Sequence, residues 1–264
     1  MSSSAPSAPP DRVPEHIALI PDGNGRWARE RGLPVSEGHR RGAQAVEGFL
    51  RVCRDWGVAY ATVWGFSTEN WARSRGEIDA IMRLVGIYLR RNRKRFARDG
   101  MRFRHIGRRD RLAREYPKLA ELFTDLETET SDYRPHTLNL ALDYGGRDEV
   151  LRAVRSLIEA GTPAAEIDWR TFSAALDTAG QPDPDLVLRS SGEQRLSGIL
   201  PMQAVYAELY FSPKLLPDMA EEDFREAIRA FARRERRFGA RQRSGGRASE
   251  ADATEVGTRR GQRG

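Results

Sequence analysis

The clearest pattern along the chain is a series of short apolar runs separated by polar and glycine-rich stretches. Runs of this kind are typical of strands that are buried on both faces of a parallel sheet. The candidate strands are Ile17–Ile20, Tyr60–Phe66, Arg102–Ile106, Thr137–Leu142, Leu186–Leu188 and Leu209–Phe211.

Between most of these runs, apolar residues recur at every third or fourth position, which predicts amphipathic helices. The candidate helices are roughly Gly38–Trp56, Arg75–Asp99, Leu112–Glu129, Asp148–Ala160 and Glu221–Arg234. Gly57, Gly100 and Gly161 stand where three of these helices should end. Strands that alternate with helices predict an α/β fold, with a six-stranded, mostly parallel sheet flanked by helices in a single domain.

The two ends of the chain differ in composition from the middle. Residues 1–15 are rich in Ser, Ala and Pro, and residues 240–264 are rich in Gly, Ser and Arg, with six arginines against three acidic residues. Both compositions predict disorder, the second as a basic tail, which leaves one domain at residues 16–239. The first segment lacks the apolar core of a signal peptide, and no apolar run reaches 18 residues, so no membrane-spanning helix is expected.

The cysteine content and the net charge limit the classes of function that the protein can have. The single cysteine, Cys53, falls at helical spacing from Val46 and Leu50, which predicts a buried thiol and fits a reducing cytoplasm. A net charge of +6 invites a nucleic-acid interpretation, but most core arginines are interleaved with acids and no binding motif is present, so no nucleic-acid partner is expected. The exception is Arg90–Arg95, which is typical either of a solvated helical face or of a patch that attracts phosphate or a membrane surface.

The most informative segment follows the first candidate strand. From Asp22 to Arg26 it reads acid, glycine, amide, glycine and arginine, and a helix-forming stretch comes next. Glycine-rich turns between a strand and a helix commonly bind phosphate. A carboxylate beside a phosphate repels it unless a divalent cation lies between them, as Mg²⁺ does in many sites. The segment therefore predicts a site for Mg²⁺ and a diphosphate.

Polar clusters also follow three further strands. They are Ser67–Arg73, Asp143–Arg147 and Arg189–Ser197. Because the carboxyl ends of parallel strands meet at one edge of a sheet, we expect these clusters to join Asp22. Arginine presents a planar fork that matches phosphate oxygens, so the combined site should bind phosphate esters.

Five blocks of the sequence resemble the signature blocks of the cis-prenyltransferases, the undecaprenyl diphosphate synthase family. They are Asp22–Trp27, Phe66–Trp71, Asn139–Gly146, Arg189–Ser197 and Tyr206–Phe211. The blocks occur in family order, and the resemblance extends from His16 to Gly239. It implies an Mg²⁺-dependent enzyme that condenses isopentenyl diphosphate with an allylic diphosphate, forms a Z double bond and holds the growing chain in an apolar tunnel.

The resemblance also implies roles for individual residues. Asp22 and Glu208 would hold the metal, and Asp22 and Asn70 would act in catalysis. The implied substrate-binding residues are Gly23, Asn24, Gly25, Arg26, Trp27, His39, Ser67, Thr68, Glu69, Trp71, Arg73, Arg189, Arg195 and Ser197. The last three would bind isopentenyl diphosphate, and Gly23–Arg26 and His39 would lie around the diphosphate of the allylic starter. Ser67, with Asn70, would assist proton removal, and Trp71 and Arg73 would belong to a mobile segment over the site. Arg237–Gly239 resembles a motif that reaches into a partner's site, which implies a homodimer; release of a lipid product implies peripheral membrane contact.

The sequence gives opposing signals about the chain length of the product. Pro21 stands where the long-chain enzymes of the family carry Met, and Val35 replaces an arginine that binds the starter diphosphate in those enzymes. The segment 181–185 is similar to an actinobacterial branch of the family that makes (Z,E)-farnesyl diphosphate. Gly65 and Trp71 look more like the long-chain enzymes. We therefore expect a short to medium product, with a long-chain undecaprenyl-type synthase and a non-catalytic accessory subunit as alternatives. The side chains expected to close the chain-binding slot are Ile81, Val85 and Tyr88.

Overall fold

A computed structural model describes residues 8–234 of the chain, which form one α/β unit around a six-stranded sheet. The strands are β1 (His16–Ile20), β2 (Tyr60–Ser67), β3 (Met101–Ile106), β4 (His136–Tyr144), β5 (Leu186–Arg189) and β6 (Glu208–Phe211). They lie in the order β3-β4-β2-β1-β5-β6, and every neighbouring pair is parallel. The predicted fold class is confirmed, and the sheet is parallel throughout.

Eight α-helices connect and cover the strands of the described part. They are α1 (Asn24–Glu30), α2 (Val35–Asp55), α3 (Arg75–Arg98), α4 (Arg109–Glu115), α5 (Pro117–Glu129), α6 (Gly146–Glu159), α7 (Trp169–Ser173) and α8 (Glu221–Ala232). The single helix predicted at Leu112–Glu129 is wrong, because α4 ends at Glu115 and α5 begins at Pro117. Proline lacks an N–H and disfavours helical geometry at the residue before it, and Tyr116 accordingly has φ −139°.

The core consists of two clusters, one on each face of the sheet. Ile17 and Leu19 of β1 point into the larger cluster, and Ala18 and Ile20 point into the smaller one, as alternation along a strand requires. The larger cluster includes buried residues of α2, α3, α5 and α8. Cys53 lies within it and burial raises the pKa of its thiol, so the prediction of a packed, unreactive cysteine is confirmed.

The turn between α3 and β3 shows why a glycine follows that helix. Gly100 has φ +59°, a conformation that side chains disfavour, and a Cβ there would lie 1.9 Å from the Arg134 carbonyl oxygen. Before β1, Val13 packs against the core and Arg12 lies 4.4 Å from the ring centre of Phe231, so contacts with the domain begin ahead of His16. The predicted basic tail, residues 1–7 and Arg237–Gly239 lie outside the described residues. None of the helices within 8–234 combines the length and apolarity needed to cross a membrane.

Candidate active site

The carboxyl ends of the four central strands form a cleft of about 730 Å³. Asp22 follows β1, Ser67 ends β2, and Arg189 ends β5, so all three reach the same edge of the sheet. The structure brings together these predicted site residues along the cleft wall: Asp22, Asn24, His39, Ser67, Glu69, Asn70, Arg73, Arg189 and Ser197.

Asp22 and Arg189 form the central ion pair of the cleft. The Arg189 Nη2 donates to Asp22 Oδ2 at 2.8 Å, and its Nη1 donates to Ser197 Oγ at 2.8 Å. Arg189 is 4% exposed, and its Nε has no hydrogen-bond partner among residues 8–234. Burial tends to raise the pKa of the Asp22 carboxyl, but hydrogen bonds from Arg189 and from the Gly23 N–H outweigh it and hold that pKa below its usual value. The carboxylate is therefore ionised at neutral pH.

Gly23 is required by the turn that presents Asp22. Its φ is +96°, and a Cβ there would lie 2.8 Å from Leu215 Cδ2, so both conformation and space favour glycine. Its N–H donates to Asp22 Oδ1 at 2.6 Å, and its carbonyl accepts from the Trp27 N–H at 2.9 Å, which starts α1. The glycine thus fixes the carboxylate and the helix at one point.

Asn24 and His39 both line the cleft, and each has one buried polar atom without a hydrogen bond within the described chain. Asn24 Nδ2 lies 3.5 Å from His39 Nδ1, whereas Asn24 Oδ1 and His39 Nε2 are buried and have no hydrogen bond within the described chain. Burial, together with the positive charge of Arg73, lowers the pKa of His39. Asn24 Oδ1 lies against α2, where a Cβ at Gly42 would be 2.2 Å away. Buried polar atoms are normally satisfied, so His39 Nε2 indicates a place where a ligand completes the hydrogen bonding.

Asn70 is carried by a 3₁₀ turn, Thr68–Ala72, that continues directly from β2. Asn70 Oδ1 accepts from the Ser67 N–H at 3.0 Å, which orients the side chain in the cleft wall. Just beyond the turn, Arg73 donates to Glu77 Oε1 at 2.8 Å, and the same oxygen lies 3.9 Å from His39 Nε2. The turn and the first residues of α3 therefore border the cleft beside His39.

Some predicted site residues lie at the rim or behind the cleft. Arg26 and Arg195 both contact Glu193, and the Arg195 side chain is 59% exposed. Trp27 points away and donates to Asp218 Oδ1 at 2.6 Å. Gly25 lies within α1, one residue from the cleft-lining Asn24.

Thr68 and Trp71, in the 3₁₀ turn after β2, are not among the residues that line the cleft. Thr68 sits against Gly145, where a Cβ would come within 2.3 Å of Thr68 Oγ1. Trp71 does not line the cleft; it packs on Phe66 and donates to Asp143 Oδ1 at 2.8 Å. These contacts hold the 3₁₀ turn in place.

Within a single chain, Glu208 does not lie beside Asp22. It starts β6 at the level of Ile17, whereas Ile20, the last residue of β1, lies three residues further along, roughly 10 Å at ~3.3 Å per residue. Its Oε2 accepts from Arg234 Nη1 at 2.8 Å. The structure therefore does not bring Asp22 and Glu208 together around one ion within a single chain.

Sequence reasoning missed one feature of the site. Arg111, on α4, forms an ion pair with Asp143 behind the 3₁₀ turn, and its only sequence signal is its place in an arginine-rich helix.

An apolar cavity of about 130 Å³ lies between α2, α3 and the sheet, and its lining includes Ile81, Val85 and Tyr88, the side chains expected to close the chain-binding slot. It shares Pro21, Asn24 and His39 with the polar cleft, so the two spaces adjoin.

This fold and site define an α/β protein with a polar, arginine-containing cleft beside an apolar cavity. Residues 20–239 match the family model described as putative undecaprenyl diphosphate synthase. The chain is 45% identical to an isoprenyl transferase of Aquifex aeolicus over 228 residues, which are 86% of this chain and 96% of that protein. It is 42% identical to an isoprenyl transferase of Agrobacterium fabrum over 239 residues, which are 89% of this chain and 96% of that one.

Solved structures agree with this match. A lavandulyl diphosphate synthase from Lavandula x intermedia, in complex with dimethylallyl diphosphate, aligns with a TM-score of 0.81 at 34% identity, covering 86% of this chain and 99% of that one. A probable undecaprenyl diphosphate synthase from Campylobacter jejuni aligns with a TM-score of 0.72 at 32% identity, covering 87% and 100%. The chain belongs to the undecaprenyl diphosphate synthase family of prenyltransferases, and the predicted reaction class is confirmed at that level.

Proposed function

We propose that the chain is an Mg²⁺-dependent cis-prenyltransferase that condenses isopentenyl diphosphate with an allylic diphosphate to form a Z-configured prenyl diphosphate. The observation that carries the proposal is the Asp22–Arg189 pair, which stands in a polar cleft that adjoins an apolar cavity. A diphosphate and a hydrocarbon chain are the two parts of an allylic substrate, and the two spaces suit one part each.

The donor set fits a magnesium ion that arrives with a substrate. Asp22 and Glu69 are the carboxylates that line the cleft, and no group of three or more metal-ligating side chains occurs within 8–234. Mg²⁺ commonly takes one or two carboxylates together with substrate phosphates and waters. When bound at Asp22, the ion would neutralise the charge that develops on the departing diphosphate.

The remaining residues divide into two groups by position. Arg189 and Ser197 supply a buried guanidinium and a hydroxyl for the diphosphate of isopentenyl diphosphate. His39 Nε2 has no hydrogen bond within the described chain and would donate to the starter diphosphate, and His39 and Asn24 line both the cleft and the apolar cavity. Asn70, whose side chain accepts from the Ser67 N–H in the cleft wall, would assist proton removal from the condensed product. The cleft would exclude water, which otherwise quenches an allylic cation.

We propose a short to medium product, about C15 to C35, and the small volume of the apolar cavity, about 130 Å³, favours the short end of that range. Leu50 and Tyr88 line both this cavity and the next pocket, so they separate the two spaces. A small pocket of about 10 Å³ beyond Leu50 and Tyr88 is lined by Glu47 and Arg95, so a longer chain would meet charged groups. The long-chain alternative requires these side chains to move aside.

A product assay tests the function and the chain length together. The full-length enzyme is incubated with labelled isopentenyl diphosphate, Mg²⁺ and C5, C10 or C15 starters, and the dephosphorylated products are separated by mass. Z-configured products of C15 to C35 are expected. A dominant C50–C55 product would overturn the chain length alone, and no condensation with any starter would contradict the enzyme function and favour an accessory role.

An exposed apolar face supports a homodimer. Leu151 and Ile158 on α6 are 54% and 69% exposed, and Val205 and Tyr206, in the segment before β6, are 65% and 80% exposed. Gln203 donates to Glu149, so the segment and the start of α6 are in contact. A group of exposed apolar side chains such as these four is typical of a protein–protein interface. Light scattering should give twice the monomer mass, and Ile158→Asp should shift it towards the monomer.

We also place the enzyme in the cytoplasm, with peripheral contact to membranes during product release. Arg90, Arg91 and Lys94 of α3 are exposed, and none of them forms an ion pair within the described residues. Basic clusters of this kind are attracted to anionic lipid surfaces. Sedimentation with anionic and with neutral vesicles tests the contact.

A further inference from the structure

The end of β4 carries a buried carboxylate that the proposed chemistry does not use. Asp143 is completely buried, and its Oδ1 accepts from the Trp71 Nε1 at 2.8 Å. Its Oδ2 accepts from the Arg111 Nε at 2.7 Å, and the Arg111 Nη2 donates to Oδ1. One carboxylate therefore joins α4 to the turn that carries Asn70.

Trp71 is held from several sides at this point. Its ring lies edge-on to Phe66, with centroids 5.6 Å apart, and 6.2 Å from the ring of Tyr116. The Arg111 guanidinium lies 5.1 Å from the centre of the indole, close enough for a cation–π interaction. Asp143 thus bonds the edge of the indole while Arg111 covers a face.

The backbone at Asp143 is fixed as well. Its φ is +54°, in the left-handed region that Asp tolerates better than most residues. Its carbonyl accepts from the Arg108 N–H at 3.0 Å, just before α4. Two residues later, Gly145 leaves room for Thr68, since a Cβ there would be 2.3 Å from Thr68 Oγ1. The end of β4 therefore contacts the 3₁₀ turn at both Thr68 and Trp71.

We infer that Asp143, neutralised by Arg111, is a positioning residue that fixes the Thr68–Ala72 turn through Trp71. The bonded indole sets the orientation of the turn, and so places Asn70, its immediate neighbour, in the cleft. Arg73, which pairs with Glu77 beside His39, follows the same turn and depends on it in the same way. The catalytic consequence rests on the proposed function, whereas the fixing of the turn does not.

The first arm of the test measures the turn without reference to activity. Amide hydrogen exchange of peptides covering 66–74 is compared between the full-length protein and Asp143→Leu. Faster exchange confined to that segment is expected. Asp143→Asn keeps an oxygen for the indole N–H and should restore most of the protection. Asp177→Leu is the matched control, because Asp177 also pairs with an arginine, Arg152, away from the turn.

The second arm measures catalysis. Asp143→Leu and Trp71→Phe should each lower kcat by about 10- to 100-fold, since a displacement of ~1 Å can cost about 100-fold. The KM for isopentenyl diphosphate should change less than threefold, because Arg189 and Ser197 are untouched. Asp143→Asn should recover at least half of the lost kcat.

Three outcomes would overturn the inference. Unchanged exchange at 66–74 in Asp143→Leu would show that the carboxylate does not fix the turn. Faster exchange across the whole domain would assign Asp143 to general stability. A rise in KM with kcat unchanged would assign it to substrate binding. Absence of activity in the wild-type chain would contradict the proposed function but leave the exchange result decisive.

Discussion

Arg189 Nη2 lies 2.8 Å from Asp22 Oδ2, although 167 residues separate the two in the sequence. The contact exists because β5 pairs with β1 in a register that sets Arg189 beside Ile20, two residues before Asp22. One guanidinium therefore contacts both the proposed metal ligand and Ser197, so the two substrate subsites share a charged group.

The first prediction concerns Asp22. Asp22→Ala should lower kcat by several orders of magnitude while the fold is retained, since electrostatic stabilisation is usually the largest catalytic contribution. Steady-state turnover and circular dichroism check the two parts. Asp22→Asn, which keeps the size but not the charge, should be similarly inactive. Near-normal turnover of Asp22→Ala, or full activity of the wild type in EDTA, would remove Asp22 from the metal site.

The second prediction separates Arg189 from Arg195. Both should contribute to the KM for isopentenyl diphosphate, but Arg189 is 4% exposed, whereas the Arg195 side chain is 59% exposed and pairs with Glu193. Arg189→Ala should raise this KM by about 10- to 100-fold, the equivalent of a charge-assisted hydrogen bond of ~1.5–3 kcal/mol. Arg195→Ala should have a smaller effect. Initial rates at varied isopentenyl diphosphate decide, and a change confined to the starter KM would reverse the subsites.

The sheet and its polar edge could be predicted because both depend on local pattern. Apolar runs specify buried strands, and the clusters after them meet wherever strands are parallel. The level of a residue along the sheet could not be predicted in the same way. Glu208 belongs to a recognisable block, yet strand register sets it beside Leu186, near the amino end of β5.

The direction in which a side chain points could not be predicted from the sequence either. Trp71 directly follows Asn70, but one residue lines the cleft and the other packs behind it, because a 3₁₀ turn rotates successive side chains by about 120°. The contact of Asp143 with Arg111 spans 32 residues and depends on where α4 packs. Neither feature leaves a periodic signal.

The third prediction concerns the end of the apolar cavity. Tyr88 separates the cavity from the small pocket that contains Glu47 and Arg95. Tyr88→Ala should remove that wall and shift the product distribution by at least one C5 unit towards longer chains, because each buried CH₂ favours elongation by ~0.8 kcal/mol. Ile87→Ala, on the exposed side of the same helix, is the matched control and should leave the distribution unchanged. Mass analysis of the dephosphorylated products checks both, and identical distributions would show that Tyr88 does not limit length.

The last prediction concerns stability at acidic pH. His16 is completely buried; its Nδ1 donates to the Pro182 carbonyl and its Nε2 accepts from Thr62 Oγ, each at 2.8 Å. Burial lowers the pKa of His16 from 6.5 to about 4, although the bond to Pro182 opposes the shift. The unfolded chain therefore binds a proton at higher pH than the folded one does. The contribution of His16 is complete above pH 6.5 and is lost as the pH falls towards 4.

In that window, His16 alone should lower the free energy of unfolding by up to ~1.4 kcal/mol per pH unit. Denaturant titrations at half-unit intervals from pH 7.5 to 4.5 measure the slope. His16→Gln cannot be protonated in this range, so its unfolding free energy should be lower at pH 7 but fall less steeply towards acid. If the wild type and His16→Gln lose stability in parallel, the acid sensitivity comes from other groups, such as His39 and His105, whose pKa values burial also lowers.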